Sequence, residues 1–172
     1  MTIKNYVGCR GMAPFPLGET RTSAFTELDK LLGHRYDCGE GVTAILVQAN
    51  AAMTDCESMC VEWSDSGTFE VVETTTVDKV ACGVCHPYQE DVAADGYLLI
   101  LVGEEGAQLT VIAHASITAL DALQPTTAGR CLTDAVIAPL EGTIGYAEEA
   151  AADQGDTVLM RCVAGAFSSV AV

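Results

Sequence analysis

The segment VQANAAMT at residues 47–54 returns as VIAHASIT at residues 111–118, with four of the eight positions identical. Small apolar residues alternate with larger or polar ones in both segments, which is the two-residue period of a β-strand. A second pair follows in the same order, since YQEDVAAD at residues 88–95 and YAEEAAAD at residues 146–153 share five of eight positions. Two motifs that recur in one order predict a chain built from two similar β units.

The spacing of the motifs sets the bounds of these units. The first motif recurs after 64 residues (111 − 47) and the second after 58 (146 − 88), so the second unit is six residues shorter between its motifs. A shortened surface loop explains this difference. Each acidic motif leads into an apolar segment, at 97–102 and 157–163, that has the character of a strand. We therefore predict an all-β sandwich or barrel with an internal repeat over about 42–102 and 107–163.

The beginning of the chain has a different pattern. Residues 1–22 are interrupted by glycine and proline, which break regular elements, and predict an extended N-terminal arm. Ser23 is placed to cap one short helix over residues 24–32, and Gly33 to end it. The apolar stripe of this helix would consist of Phe25, Leu28, Leu31 and Leu32. The β domain is accordingly predicted over residues 23–172.

The charge of the chain excludes a simple nucleic-acid-binding role. The net charge is −16, whereas phosphate binding needs clustered lysine and arginine. Residues 1–35 hold five of the eight basic residues against three acids and have a charge of +2, which leaves 3 − 21 = −18 for the remainder. An acidic body behind a mildly basic arm could dock through the arm, although a solvated surface is the simpler interpretation.

No segment predicts a membrane or secretory address. The run at 97–102 is far below the roughly 20 apolar residues of a membrane-spanning helix. The first 15 residues, MTIKNYVGCRGMAPF, lack the continuous apolar core of a signal peptide. We predict a soluble protein that is made in the cytoplasm.

Eight cysteines invite a metal or redox interpretation. In a reducing cytoplasm the favoured interpretation is buried free thiols. Four of them have suggestive spacing and could supply thiolates to a tetrahedral zinc or form disulfides: Cys56, Cys60, Cys82 and Cys85. The second unit has Leu120 and Gln124 where Cys56 and Cys60 stand, so such a site would be confined to one unit. A small metal-binding or redox protein is therefore the alternative function.

The stretch from Cys82 to His86 also matches the C-x-x-C-H pattern of covalent haem attachment. A short motif without an export signal is better explained by chance. The remaining cysteines, Cys9, Cys38, Cys131 and Cys162, show no informative spacing.

No catalytic arrangement is predicted. The histidines His34, His86 and His114 are scattered, and the acidic pairs at 90–91, 104–105 and 148–149 are sequence neighbours, which point to opposite faces of a strand. Neither a phosphate-binding glycine loop nor a calcium loop occurs. We predict that the protein is not an enzyme and has no catalytic, cofactor-binding or metal residues and no cofactor. A carbohydrate-binding module ranks last among the alternatives, because Trp63 and five tyrosines are the only residues suited to stack on sugars.

A longer pattern adds a family resemblance. Residues 113–123 (AHASITALDAL) are followed by the turn TAGR at 127–130, by IGYAEEAA at 144–151 and by GDTVLMRCV at 155–163. This order resembles that of the capsid cement, or decoration, proteins of tailed bacteriophages, and residues 32–54 are similar to the opening hairpin of that family. The chain departs from the family in its cysteine content and its N-terminal arm.

The resemblance implies a structural virion protein. It would bind the outer surface of a phage head, contact the major capsid protein and stabilise contacts between capsid subunits, often as a homotrimer, without binding nucleic acid or membrane. An acidic, β-rich body suits the outer surface, because packaged DNA would repel it. The arm and the apolar tail at 164–172 are then candidates for strand exchange with neighbouring subunits.

Overall fold

The computed structural model of the chain describes residues 30–76, 80–89, 91–133 and 142–167. The predicted arm at 1–22 and residues 24–29 of the predicted helix lie outside the described residues. Residues 30–32, the described part of that helix, form a turn that ends at Gly33, whose φ of 77° is in the left-handed region. Among the described residues no helix is long and apolar enough to cross a membrane.

The described residues form eleven strands and one 3-10 turn, Thr127–Gly129. The strands are β1 (Arg35–Gly39), β2 (Val42–Ala49), β3 (Cys60–Asp65), β4 (Glu70–Glu73), β5 (Gly83–Cys85), β6 (Tyr97–Gly103), β7 (Gln108–Ile112), β8 (Ala122–Pro125), β9 (Cys131–Thr133), β10 (Gly145–Ala147) and β11 (Thr157–Cys162).

Two sheets pack against each other as a sandwich, which confirms the predicted all-β fold. The first sheet has the order β1-β2-β4-β3-β5-β6, and β2 also pairs with β6. Strands β2, β4, β3, β5 and β6 therefore close on themselves, and we call them the first ring. The second sheet has the order β7-β11-β10-β8-β9.

Strand β2 explains how the core is divided, because successive side chains of a strand point to opposite faces. Ile45 and Val47 belong to one apolar cluster, whereas Ala44 and Leu46 belong to another. The first cluster draws on all five strands of the ring and fills its interior. The second cluster joins the outer wall of the ring to the inner face of the second sheet and includes Leu99, Val111, Leu123 and Met160.

The second sheet repeats the pairing pattern of the first ring. Strand β2 pairs antiparallel with β6 as β7 pairs with β11, and the chain order β3-β4-β5 is paired as β8-β9-β10 is. Even the parallel contact recurs, since Ala49 pairs with Val71 and Ala113 forms a parallel bridge with Cys131. We call β2–β6 the first unit and β7–β11 the second unit.

The alternating motif aligns the two units in register. Val47 pairs with Leu98 and Val111 pairs with Val158, at corresponding points of the two ladders. The acidic motif does not align at its first residue. Tyr146 lies in β10 opposite Arg161, where the first unit has Val84 opposite Leu101, whereas Tyr88 lies in a turn after β5.

A turn at 104–107 connects the two sheets. The Ala107 N–H donates to the Glu104 carbonyl at 3.0 Å, and the turn carries the chain from β6 in the first sheet to β7 in the second. Strand β7 pairs with β11 and not with β6. The turn at 39–41, by contrast, closes the predicted hairpin between β1 and β2.

Candidate functional site

The four cysteines with suggestive spacing face different parts of the core. Cys56, Cys82 and Cys85 lie inside the first ring. Cys60 belongs to the cluster between the sheets. Within the described ranges no group of three or more histidine, cysteine or acidic side chains is arranged to hold a metal ion.

Burial keeps the three thiols inside the ring protonated. It raises the pKa of Cys56 from 9.0 to about 11, and it raises the pKa values of Cys82 and Cys85 further. Because a thiol must lose its proton to bind a metal or to act as a nucleophile, these side chains are inert in the closed fold at neutral pH. The arrangement is that of small apolar residues filling a core.

Two cysteines without informative spacing have neighbours that the sequence did not indicate. Cys38 is disulfide-bonded, so the expectation of free thiols is wrong for this residue. The Sγ atom of Cys131 lies 3.3 Å from that of Cys60, which reaches it from the other sheet. The described free thiols are all buried: Cys56, Cys60, Cys82, Cys85, Cys131 and Cys162.

The C-x-x-C-H stretch is built into the fold. Cys82 and Cys85 are 1% and 0% exposed, so neither sulfur is available to a haem vinyl group. His86 follows β5 in the turn, and burial lowers its pKa. Its Nδ1 accepts the Tyr88 N–H at 3.3 Å, which gives this histidine a role in shaping the turn.

The acidic pair at 148–149 is also used by the fold. Glu148 pairs with Arg161, whose Nε lies 2.6 Å from a carboxylate oxygen, and Glu149 accepts the Leu159 N–H at 2.9 Å. Glu104 and Glu105 are exposed at the turn between the sheets. Glu90 lies outside the described residues.

An open groove of about 560 Å³ lies where the two units meet. Asp55, Glu57 and Asp91 come from the first unit, and Ile112 and Thr157 from the second. The Asp91 carboxylate accepts the Asp55 N–H at 2.8 Å, so it holds the loop before β3 in place. None of the histidines that the sequence singled out lines this groove. The thiol of Cys56 is part of its lining, and burial raises the pKa of this thiol to about 11, so it is protonated at neutral pH.

The surface that could engage a partner is the outward side of the second sheet. Tyr146, which is 39% exposed, lies near its centre between Ala122 and Arg161 on the neighbouring strands. We define this outer face by the residues that alternate away from the core along β7 to β11: Gln108, Thr110, Ile112, Ala122, Gln124, Leu132, Tyr146, Glu148, Thr157, Leu159 and Arg161. Of these, only Glu148 and Arg161 are charged, and they form an ion pair.

Leu120 adds an exposed apolar side chain beside β10. It is 81% exposed and has a φ of 75°, a conformation that is costly for a bulky residue. Its N–H donates to the Ala147 carbonyl at 2.8 Å, which fixes the loop to the end of β10.

The spacing of the repeated motifs had equated Leu120 with the buried Cys56 and Gln124 with Cys60. The pairing pattern gives Ala122 as the counterpart of Cys60, since these residues face Tyr146 and Val84.

No protein-family model matches the chain, and no curated protein sequence does. A solved structure of similar fold is the N base of the head fibre protein gp8.5 of bacteriophage phi29. The two chains are 16% identical and superpose with a TM-score of 0.53, over 70% of this chain and 93% of the head fibre chain. At this level of identity the likeness shows a shared fold.

Proposed function

We propose that the chain is a structural protein of a bacteriophage head. It binds the outer surface of the shell, contacts the major capsid protein and stabilises contacts between capsid subunits. It is synthesised in the host cytoplasm and ends in the virion. The observation that carries the proposal is the fold shared with the phi29 head fibre base, which extends over 93% of that chain. The order of motifs that resembles capsid cement proteins supports the same role.

The charge of the protein favours the outer surface of the shell. The chain has a net charge of −16, which is the sum of −18 on residues 36–172 and +2 on residues 1–35. Packaged DNA repels such a surface, so a position inside the filled head would be unfavourable. The role needs no catalytic residue, which agrees with the protonated thiols inside the ring and with the structural contacts of Glu148 and Glu149.

The outer face of the second sheet is suited to contact between copies of this chain. Acidic bodies repel each other, so self-association favours a surface with little net charge. The residues that define the outer face supply this, because their only charges form one ion pair and three of their members, Ile112, Leu132 and Leu159, are half-buried apolar side chains. We therefore assign the homotrimer contact to this face and the capsid contact to the arm at 1–22.

Co-sedimentation with heads tests the proposal. The heads would be assembled from the major capsid protein encoded by the same genome and mixed with full-length protein or with a variant that lacks residues 1–22. The full-length protein should bind to a saturating number of copies per head, and empty and DNA-filled heads should bind equally. The truncated variant should lose binding while it remains folded and trimeric.

The two parts of the proposal fail differently in this experiment. If the truncated variant binds undiminished, the assignment of the arm is wrong and head binding stands. If the full-length protein does not bind heads at all, the proposed function is wrong.

A metal or redox site built from the four cysteines with suggestive spacing gains no support from the described residues, because Cys60 faces away from Cys56, Cys82 and Cys85.

A further inference from the structure

Two buried thiols from different sheets lie in contact. Cys60 begins β3 in the first unit and Cys131 begins β9 in the second, 71 residues apart in sequence. Their Sγ atoms are 3.3 Å apart, and both side chains are 0% exposed. The two sheets therefore bring two thiols, which can react with each other once oxidised, into direct contact.

The backbone on both sides of this contact is held by further links between the units. The Thr74 hydroxyl donates to the Thr126 carbonyl at 2.6 Å and is fully buried. Gly129 packs so closely on the first unit that an added Cβ would lie 1.9 Å from Cγ of Met59 and 3.0 Å from the Cys60 carbonyl oxygen. These contacts limit how far Cys60 and Cys131 can move apart.

We propose that Cys60 and Cys131 are a disulfide-forming pair that joins the two sheets covalently when the protein meets a low-molecular-weight disulfide such as oxidised glutathione. The thiolate of one cysteine attacks that disulfide, forms a mixed disulfide and expels one small thiol. The second cysteine then attacks the protein sulfur of the mixed disulfide and expels the other small thiol. Two protein thiols are oxidised to one S–S bond, and one small disulfide is reduced to two thiols.

The geometry requires only a small adjustment. The sulfur atoms must approach from 3.3 Å to about 2.05 Å, the length of a disulfide bond. The closed loop would contain β3 to β8, so the bond would restrict the unfolded chain over parts of both units. Cys38 is already disulfide-bonded, so the chain carries one such bond elsewhere. The inference does not depend on the proposed head-binding function.

Burial sets the rate of this reaction. The pKa of Cys131 is raised well above 9.0 by its contact with Cys60 and by its removal from water, so little thiolate is present in the closed fold. The oxidant must also reach side chains with no exposed surface. Cross-linking should therefore be slow in buffer and several-fold faster in urea concentrations that open the sandwich without unfolding it.

Peptide mapping tests the assignment. The full-length protein would be incubated with oxidised glutathione, alkylated and digested with trypsin. Cys131 is the only cysteine of peptide 131–161, whereas peptide 36–79 contains Cys38, Cys56 and Cys60. The expected product is a disulfide-linked species that contains both of these peptides, together with the peptide that is bonded to Cys38. A Cys56→Ala variant is the matched control, because Cys56 is a buried thiol of the same peptide that faces the other cluster.

The cross-linked pair should form in the unmodified protein and in Cys56→Ala, and it should be lost in Cys60→Ala. The oxidised protein should also unfold at a higher denaturant concentration than the reduced protein. If Cys131 of the unmodified protein is recovered alkylated while Cys38 remains bonded, the proposal is wrong. It is also wrong if the peptide pair persists in Cys60→Ala. A Cys131→Ala variant gives a second test should Cys60→Ala fail to fold.

Discussion

The two units share one order of strand pairing but bury their cores differently. The first unit closes through a seven-residue ladder between β2 and β6 and a two-residue parallel pair between β2 and β4, and encloses its own apolar cluster. The second unit has a single parallel bridge, Ala113 to Cys131, and its inner face is covered by the wall of the first. One topology can thus give a self-contained core or a layer that depends on its neighbour, according to which side chains face outward.

The largest difference in stability between the units is expected for alanine substitutions at Gly145 and Gly83, which occupy corresponding positions in the two pairing patterns. An added Cβ would lie 2.5 Å from the Arg161 carbonyl oxygen at Gly145, and 3.0 Å from the Leu101 carbonyl oxygen at Gly83. Because backbone cannot give way as a side chain can, Gly145→Ala should lower the free energy of unfolding by about 3 kcal/mol and Gly83→Ala by about 1–2 kcal/mol. Urea unfolding of both variants measures this. If the two variants lose the same free energy of unfolding, the backbone at Gly145 is no more tightly constrained than the backbone at Gly83.

The junction between the units can be tested at Gly129. Its Cβ would collide with the flexible Met59 side chain, and its φ is 64°. Gly155 is the matched control, since its φ is 93° and nothing lies within 4 Å of an added Cβ. We expect Gly129→Ala to cost about 2 kcal/mol and Gly155→Ala about 1 kcal/mol.

A double-mutant cycle with Met59→Ala separates the collision from the backbone strain. The combined variant should recover part of the loss at Gly129, with a coupling on the order of 1 kcal/mol. Purely additive costs would show that Met59 does not fix the junction.

Alkaline pH should weaken the first unit through its buried thiols. Burial raises the pKa of Cys56 from 9.0 to about 11, so the folded chain holds this proton when the unfolded chain has lost it. The protonated Cys56 thiol makes its full contribution to the free energy of unfolding below pH 9. That contribution falls by on the order of 1–2 kcal/mol as the pH rises toward 11. Urea unfolding of reduced protein from pH 8 to 11 should show a steeper decline than Cys56→Ala shows. Parallel declines would contradict the assignment.

The smallest effect on folding is expected at the two exposed tyrosines. Tyr146→Asp and Tyr88→Asp should each change the free energy of unfolding by less than about 0.5 kcal/mol, since both side chains are exposed. Tyr146 lies on the outer face and Tyr88 does not. Native mass spectrometry should therefore show that Tyr146→Asp is monomeric and that Tyr88→Asp keeps the oligomer of the unmodified protein. A trimer in both variants would exclude the outer face as the self-contact.

The alternating motifs allowed the β fold to be predicted because burial on one face of a strand leaves a two-residue period in the sequence. Val47 and Val111 occupy matching points of their ladders for this reason. The acidic motif gave a wrong correspondence at its first residue. His86 and its neighbours add a turn after β5, so Tyr88 lies outside the strand position that Tyr146 occupies.

Contacts between the sheets could not be predicted from spacing. Cys60 and Cys131 meet because the two sheets pack against each other, and the sequence between these two residues, which are 71 positions apart, carries no local sign of the contact. The outer face was missed for a related reason. Leu159 and Tyr146 alternate with buried neighbours as core residues do, and only the packed structure shows which side of the second sheet is covered.

The most direct test of the proposed function is a cryo-electron microscopy reconstruction of heads incubated with the full-length protein, with untreated heads as the control. Added density of two packed β units, in groups of three on the outer surface at junctions of major capsid protein subunits, is the predicted result. Heads that carry no added density at saturating protein, or density confined to the inner surface, would contradict the account.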